Sequence, residues 1–212
     1  ELRVAALLRE AGHQVVLRLP QAALRERDRV HEALVAAGGE YDVVVGVQGD
    51  EPELDPTDLG RLVDCFRDAD VEVATLAAPI PDETALEATS VVKVVLDVNS
   101  DALYFSRAPL PNRVHARSDA DDSLGLRHVG VYAWRPAALA RFRALEPTPG
   151  ERAENLEQLR WLENGGRMRV LVIDRAPHGI DTPEDYTAFV ARWRETGPDA
   201  SPNAPHPQEA ST

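Results

Sequence analysis

Apolar and polar positions alternate along this chain with two periods, near 3.6 and near 2, and the switches between them mark out the elements. Residues 1–12 read as a helix, with Leu2, Ala5, Ala6 and Leu8 on its apolar side and Gly12 as its stop. A short strand follows over 13–19, then a charge-rich helix over 21–37 that ends at Gly38-Gly39. Asp42–Val47 is a continuous apolar run, the pattern of a strand buried on both faces of a parallel sheet. The spacing predicts a helix over Thr57–Arg67, with Pro56 near its start, and a strand over Val71–Ala77. After a Pro-bracketed turn, Val91–Asp97 and Ala102–Ser106 read as two strands of a hairpin turned by Asn99-Ser100. Beyond a polar loop at 108–125 come a strand at Arg127–Trp134, helices at 136–145 and 151–163, a strand at Met168–Ile173, and a helix from Pro183 to about Trp193. From Gly197 on, Pro, Ser and Ala dominate and large apolar groups are few, so a disordered tail is expected there.

Strands separated by helices imply an α/β fold whose mixed, mostly parallel sheet is flanked by helices. The 212 residues suit one domain, over 1–195, followed by the tail at 196–212. Hydrophobic residues at 43% and charged residues at 28% are ordinary for a soluble domain. No apolar run approaches the roughly 20 residues of a membrane helix, and no basic-then-apolar leader opens the chain. The expectation is a cytoplasmic protein without a membrane partner. A formal net charge of −13 argues against nucleic acid, which needs cationic surface against its phosphates. It does not argue against a nucleotide held through Mg²⁺, because the ion reverses the local sign. The one cysteine, Cys65, allows no internal disulfide, and no Cys/His spacing resembles a zinc site. Cys65 is expected to be a small buried residue within a helix.

In α/β sheets ligands collect beyond the carboxyl ends of the strands. The run VVVGVQGDEP, ending at Pro52, sends an apolar strand straight into Gln48, Gly49, Asp50 and Glu51. Gly49 permits close approach by a ligand, Pro52 stiffens the exit, and Asp50 offers a hard oxygen to Mg²⁺. A solvated turn accounts for the same residues. A second acid, Asp181, precedes Thr182-Pro183-Glu184-Asp185, which is also a well-formed helix start. Two carboxylates from two strand ends would grip one Mg²⁺ on a triphosphate. Along LRHVGVYAW, His128, Gly130 and Tyr132 share one face and Val129, Val131 and Ala133 the other, which makes either a sugar-binding wall or a half-exposed strand. In GERAENLEQLRWL, Leu156, Leu159 and Leu162 form an apolar side, while Glu157 and Gln158 either solvate the helix or meet sugar hydroxyls. P-loop, dinucleotide, zincin and serine-hydrolase templates are all absent.

Taken together, these pieces resemble the 3-deoxy-manno-octulosonate (Kdo) cytidylyltransferases, also called CMP-Kdo synthetases. VVVGVQGDEP, VVKVVLD (91–97), ALYFSRAPLP (102–111), LRHVGVYAWR (126–135), ENLEQLRWLENG (154–165) and GIDTPED (179–185) occur in that family's order and at about its spacing. The resemblance implies a nucleotide-diphospho-sugar transferase-like fold and a reaction of CTP with Kdo that yields CMP-Kdo and pyrophosphate, for lipopolysaccharide biosynthesis. It implies Asp50 and Asp181 as the catalytic Mg²⁺ ligands, with Gly49 and Asp50 at the nucleotide. It implies Gln48, His128, Tyr132, Glu157 and Gln158 at the sugar, and a homodimer built around the hairpin and the loop after it. Two departures stand out. The family opens with a strand and an Arg-rich, Gly-containing loop that cradles the triphosphate, and this chain is expected to lack that module. Where the family carries a Ser-Gly-Thr-acid-Arg motif, this chain has Arg25-Glu26-Arg27-Asp28-Arg29, which keeps only the acid-Arg ending. A non-catalytic sugar-binding or dimer-partner chain, and a transferase for another sugar acid such as a sialic acid, are the competing expectations.

Overall fold

A nine-residue strand, Leu126–Trp134, organises the sheet in a computed structural model of the chain. The structure describes residues 26–38, 40–47, 53–112, 114–115, 124–180 and 182–196, with the backbone alone at 26–29 and 195–196. The helix and strand expected over 1–19 and the tail expected beyond 196 lie outside the described residues. In chain order the elements are α1 (Glu26–Ala37), β1 (Val44–Gly46), α2 (Pro56–Asp64, prolonged by a 3-10 turn at Cys65–Arg67), β2 (Val73–Pro79), α3 (Glu83–Glu87), β3 (Lys93–Leu96), β4 (Ala102–Ser106), β5 (Leu126–Trp134), α4 (Pro136–Ala144), α5 (Pro149–Glu154), α6 (Gln158–Glu163), β6 (Arg169–Val172) and α7 (Pro183–Thr196). Two units divide the chain: one takes in 1–15, 48–60 and 177–212, the other 16–47 and 61–176. The second holds the whole sheet.

The sheet runs β4-β3-β5-β2-β6, with β1 also paired to β5. Strands β1, β2, β3 and β6 point one way and β4 and β5 the other, which bears out a mixed sheet flanked by helices. Direct neighbours are less parallel than expected: β2–β6 is the one parallel pair among the described residues. The reason is β5, which lies between β2 and β3 and runs against both. Pairing on both edges makes β2 an interior strand, like β3 and β5, and Val73 to Ala78 are all buried. β1 is the correction to the expected strand at 42–47. It has three residues, Val44 and Val45 are half-buried, and Val47 is exposed. Burying both faces takes layers packed above and below a strand, and Val44 and Val45 are covered only in part.

The hairpin of β3 and β4 forms as expected, with Ser100 at φ 64 in the turn. The helix expected over 151–163 is two helices. Asn155 takes the left-handed conformation at φ 55, ends α5, and turns the chain so that Leu156 is buried before α6 begins. The turn after β2 holds a short helix, α3, whose first turn is capped by Asp82 through a 2.8 Å bond from the Ala85 amide. Aromatic rings lock the helices to β5. Trp134 stacks on Phe142 at 5.0 Å, and Trp161 meets Trp134 edge-on at 5.8 Å. Gly166 lies against Trp161, where a Cβ would come within 2.3 Å of the indole Cε2.

Lys93 is fully buried, and its ammonium donates to the carbonyls of Ala88 at 2.9 Å, Val91 at 2.8 Å and Arg107 at 2.8 Å. These three bonds use every donor of the group. Burial holds its pKa below the usual lysine range. One side chain therefore ties the segment before β3 to the chain leaving β4. A Lys93→Met substitution leaves three carbonyls without their donor and is expected to cost about 3 kcal/mol. The midpoint of urea unfolding, with its slope unchanged, measures the loss.

Candidate active site

The strand pair β2–β5 builds the first part of the site. Thr75 lies opposite Tyr132 while Leu76 lies opposite Val129, so β5 carries two extra residues, Gly130 and Val131, at this point. The Thr75 hydroxyl fills the resulting irregularity. It bonds the Val131 carbonyl at 2.7 Å, lies 3.4 Å from the Val129 carbonyl, and sits 2.8 Å from His128 Nε2. Despite the bulge the expected alternation holds from His128 to Ala133, with Val129, Val131 and Ala133 buried and His128, Gly130 and Tyr132 half-buried on the other face, and it ends at Trp134, which is buried too.

The His128 ring meets Phe105 edge-on at 5.0 Å and Tyr132 at 5.3 Å. Burial pushes its pKa down to about 3, because enclosure penalises the charged form. At neutral pH the imidazole is therefore uncharged and offers one donor and one acceptor. Beside it stands Tyr132, whose ring centroid is 5.3 Å from that of His128. An uncharged imidazole suits a hydroxyl group rather than a carboxylate held by charge. A stability consequence follows. In the unfolded chain the histidine titrates near about 6.5, so between about 6.5 and about 3 the unfolded state binds the proton and the folded state does not. The contribution from burying neutral His128 is whole above about 6.5 and is lost as pH falls toward about 3. Melting temperatures of the wild type and His128→Gln across that window are expected to converge as pH falls.

The second part is a clasp at the end of β4. Glu154, the last residue of α5, accepts from the Ser106 hydroxyl at 2.6 Å and the Arg107 amide at 2.9 Å, and its own carbonyl accepts from Arg107 Nε at 3.0 Å. Burial alone would raise the Glu154 pKa, but the Arg107 amide and Ser106 hydroxyl outweigh it and hold the carboxylate below its usual range. Past the turn at Asn155 come half-buried Glu157 and buried Gln158, at the start of α6. Behind them lies a buried ion pair: Arg160 donates to Glu151 through Nε at 2.6 Å and also through Nη2, and its Nη1 reaches the Leu145 carbonyl at 3.1 Å. Helix α6 packs on β4, whose Phe105 touches His128 and whose Ser106 holds Glu154. Strand β4 is thus the link between His128 with Tyr132 and the segment that carries Glu157 and Gln158.

Gln48, Gly49, Asp50 and Asp181 lie outside the described residues. What flanks them is described, within the smaller unit. Glu53 accepts a forked pair of bonds from Arg192 on α7, at 2.9 and 2.8 Å, and His178 Nδ1 is 3.6 Å from the same carboxylate. Helix α7 starts with a reciprocal cap. The Asp185 amide donates to Thr182 Oγ1 at 3.1 Å, and the Thr182 amide donates to Asp185 Oδ2 at 2.9 Å. Thr182 and Asp185 thus form the helix start that the sequence offers as the structural explanation of this motif.

Among the described residues no cluster of His, Cys, Asp and Glu could hold a metal ion. Cys65 is half-buried in the 3-10 turn rather than buried in a helix, and burial pushes its thiol pKa up, so it has little thiolate to offer. The residues missed from sequence are Thr75, Phe105, Glu154 and the Glu53–Arg192 pair. Thr75 had a signal, being the one polar residue in the run VATLAAP. No helix of the described residues is long and apolar enough to cross a membrane.

The family model that matches residues 2–171 is described as cytidylyltransferase. A 3-deoxy-manno-octulosonate cytidylyltransferase from Nitratidesulfovibrio vulgaris (strain DP4) is 47% identical over 169 residues, which are 79% of this chain and 67% of that protein. One from Anaeromyxobacter sp. (strain Fw109-5) is 46% identical over 185 residues, 87% of this chain and 73% of that protein. Among solved structures, CMP:2-keto-3-deoxy-manno-octonic acid synthetase complexed with CTP superposes with a TM-score of 0.76 at 32% identity, covering 92% of this chain and 78% of that one.

Proposed function

We infer a sugar-activating reaction for a chain that belongs to the 3-deoxy-manno-octulosonate cytidylyltransferase family. The reaction joins the CMP moiety of CTP to Kdo. The anomeric hydroxyl of the sugar attacks the α-phosphorus, the bond to the β-phosphate oxygen breaks, and pyrophosphate leaves with the electron pair. The observation that carries this reading is the uncharged wall of His128 and Tyr132, coupled through β4 to the segment bearing Glu157 and Gln158. The sequence resemblance assigns these four residues to the sugar. A sugar acid rich in hydroxyls needs hydrogen-bonding partners, and an imidazole, a phenol, a carboxylate and an amide are the side chains that the resemblance brings to it. CTP in the complex of the solved relative supports the nucleotide.

By the resemblance, Gln48 would meet the sugar and Gly49 would let the nucleotide approach the backbone. Asp50 and Asp181 would hold Mg²⁺, since two carboxylates are the hard oxygen donors that ion takes. When bound, it neutralises charge on the triphosphate. The chain's own part is positional: it orients one hydroxyl of the sugar toward the phosphorus and excludes competing water. The working form is a homodimer in the cytoplasm, with no nucleic-acid or membrane partner.

Calorimetric titration with Kdo and with N-acetylneuraminate tests the acceptor. Kdo is expected to bind at least tenfold more tightly, the difference that about 1.4 kcal/mol of hydroxyl recognition makes. Tighter binding of N-acetylneuraminate would move the assignment to another sugar acid.

A further inference from the structure

We propose that Thr75 is a positioning residue of the sugar site: its hydroxyl holds His128 as the Nε2–H tautomer, so that Nδ1 faces a sugar hydroxyl as a hydrogen-bond acceptor. This rests on the reading of His128 as a residue that meets Kdo. The argument is a count of protons. Thr75 is fully buried, so no solvent shares its hydroxyl. That hydroxyl has one proton and three neighbours. Two are carbonyl oxygens, Val131 at 2.7 Å and Val129 at 3.4 Å, and carbonyls only accept. The proton therefore goes to Val131, the nearer of the two. The third neighbour, His128 Nε2 at 2.8 Å, is left to donate into the Thr75 lone pair. The opposite tautomer would set two lone pairs against each other at that distance.

The ring itself is fixed from three elements. Thr75 on β2 takes Nε2, Phe105 on β4 packs edge-on, and Tyr132 on β5 lies beyond it. None of these three groups is charged at neutral pH, and among the described residues no hydrogen bond is made to Nδ1. With Nε2–H committed, Nδ1 has a lone pair and no proton. It accepts from a hydroxyl and has nothing to give to a carboxylate or a carbonyl. Thr75 thereby selects what His128 recognises without touching the substrate.

The test is nitrogen NMR of the histidine ring in the full protein. Without sugar, His128 is expected to show a protonated Nε2 and an unprotonated Nδ1, and addition of Kdo is expected to shift Nδ1. In Thr75→Val a methyl group replaces the acceptor, so the ring is expected to move its proton to Nδ1. The Kdo dissociation constant should then rise about tenfold, the loss of one hydrogen bond, while CTP affinity holds. Thr75→Ser keeps the hydroxyl and is expected to restore both tautomer and affinity. A protonated Nδ1 in the unliganded wild type overturns the proposal even if Thr75→Val fails to fold. So does a Thr75→Val protein that keeps the wild-type tautomer. The expected tautomer with no response of Nδ1 to Kdo overturns it by a different route, through the sugar assignment rather than through Thr75.

Discussion

Asp50→Asn is expected to lower the rate of CMP-sugar formation at least a thousandfold while Kdo still binds. The change keeps the size of the side chain and removes its charge. A carboxylate that grips the ion on a triphosphate contributes several kcal/mol where charge develops, and about 4 kcal/mol corresponds to a factor of about a thousand. Asp181→Asn is expected to do the same. The double variant should be scarcely slower than either single one, because two ligands of one ion act as a unit. Thr182 and Asp185 cap α7 between themselves, so Asp181→Asn should leave the melting temperature within about 2 °C. Initial rates, Kdo calorimetry and thermal melts of the same three proteins check this. A rate within tenfold of wild type for either single variant would remove both aspartates from the chemistry.

Arg160→Leu is expected to produce the largest loss of stability. Arg160 is fully buried and Glu151 nearly so, and the guanidinium makes two bonds to the carboxylate and one to the Leu145 carbonyl. Removing the cation leaves a carboxylate in the interior with its partner gone. Breaking such a pair from one side costs about 3–5 kcal/mol, which for a chain of this size is roughly 10 °C in melting temperature. The double variant Arg160→Leu, Glu151→Leu should recover much of the loss, since the penalty comes from the orphaned charge rather than from the absence of attraction. Sugar affinity should fall with the single variant as well, because the pair anchors the turn that presents Glu157 and Gln158. A single variant as stable as wild type would show that the carboxylate finds water or a proton without difficulty.

The parts of the fold legible in the sequence were those that depend on near neighbours. Period-2 alternation through 126–134 separated the two faces of β5, both of which meet core, and Asn99-Ser100 marked the hairpin. The break at Asn155 was hidden because Leu156, Leu159 and Leu162 continue the apolar spacing across it, and only the backbone shows the left-handed residue. The direction of β5 was hidden for another reason. No local pattern says which strands a chain will lie between after a long polar loop. Within the site, His128 and Tyr132 could be placed on one face from their spacing. Their partners could not, since Thr75 and Phe105 come from strands far away in sequence. The clasp of Glu154 on Ser106 and Arg107 is likewise a pairing between distant segments.

Pyrophosphate release is the most direct measurement, made on the protein expressed from its full reading frame with CTP, Kdo and Mg²⁺ supplied together and with each withheld in turn. Release that needs all three, with one CMP-Kdo formed for each pyrophosphate, is the predicted result. Release that proceeds without the sugar, or none at all from a folded protein that binds Kdo, would contradict it.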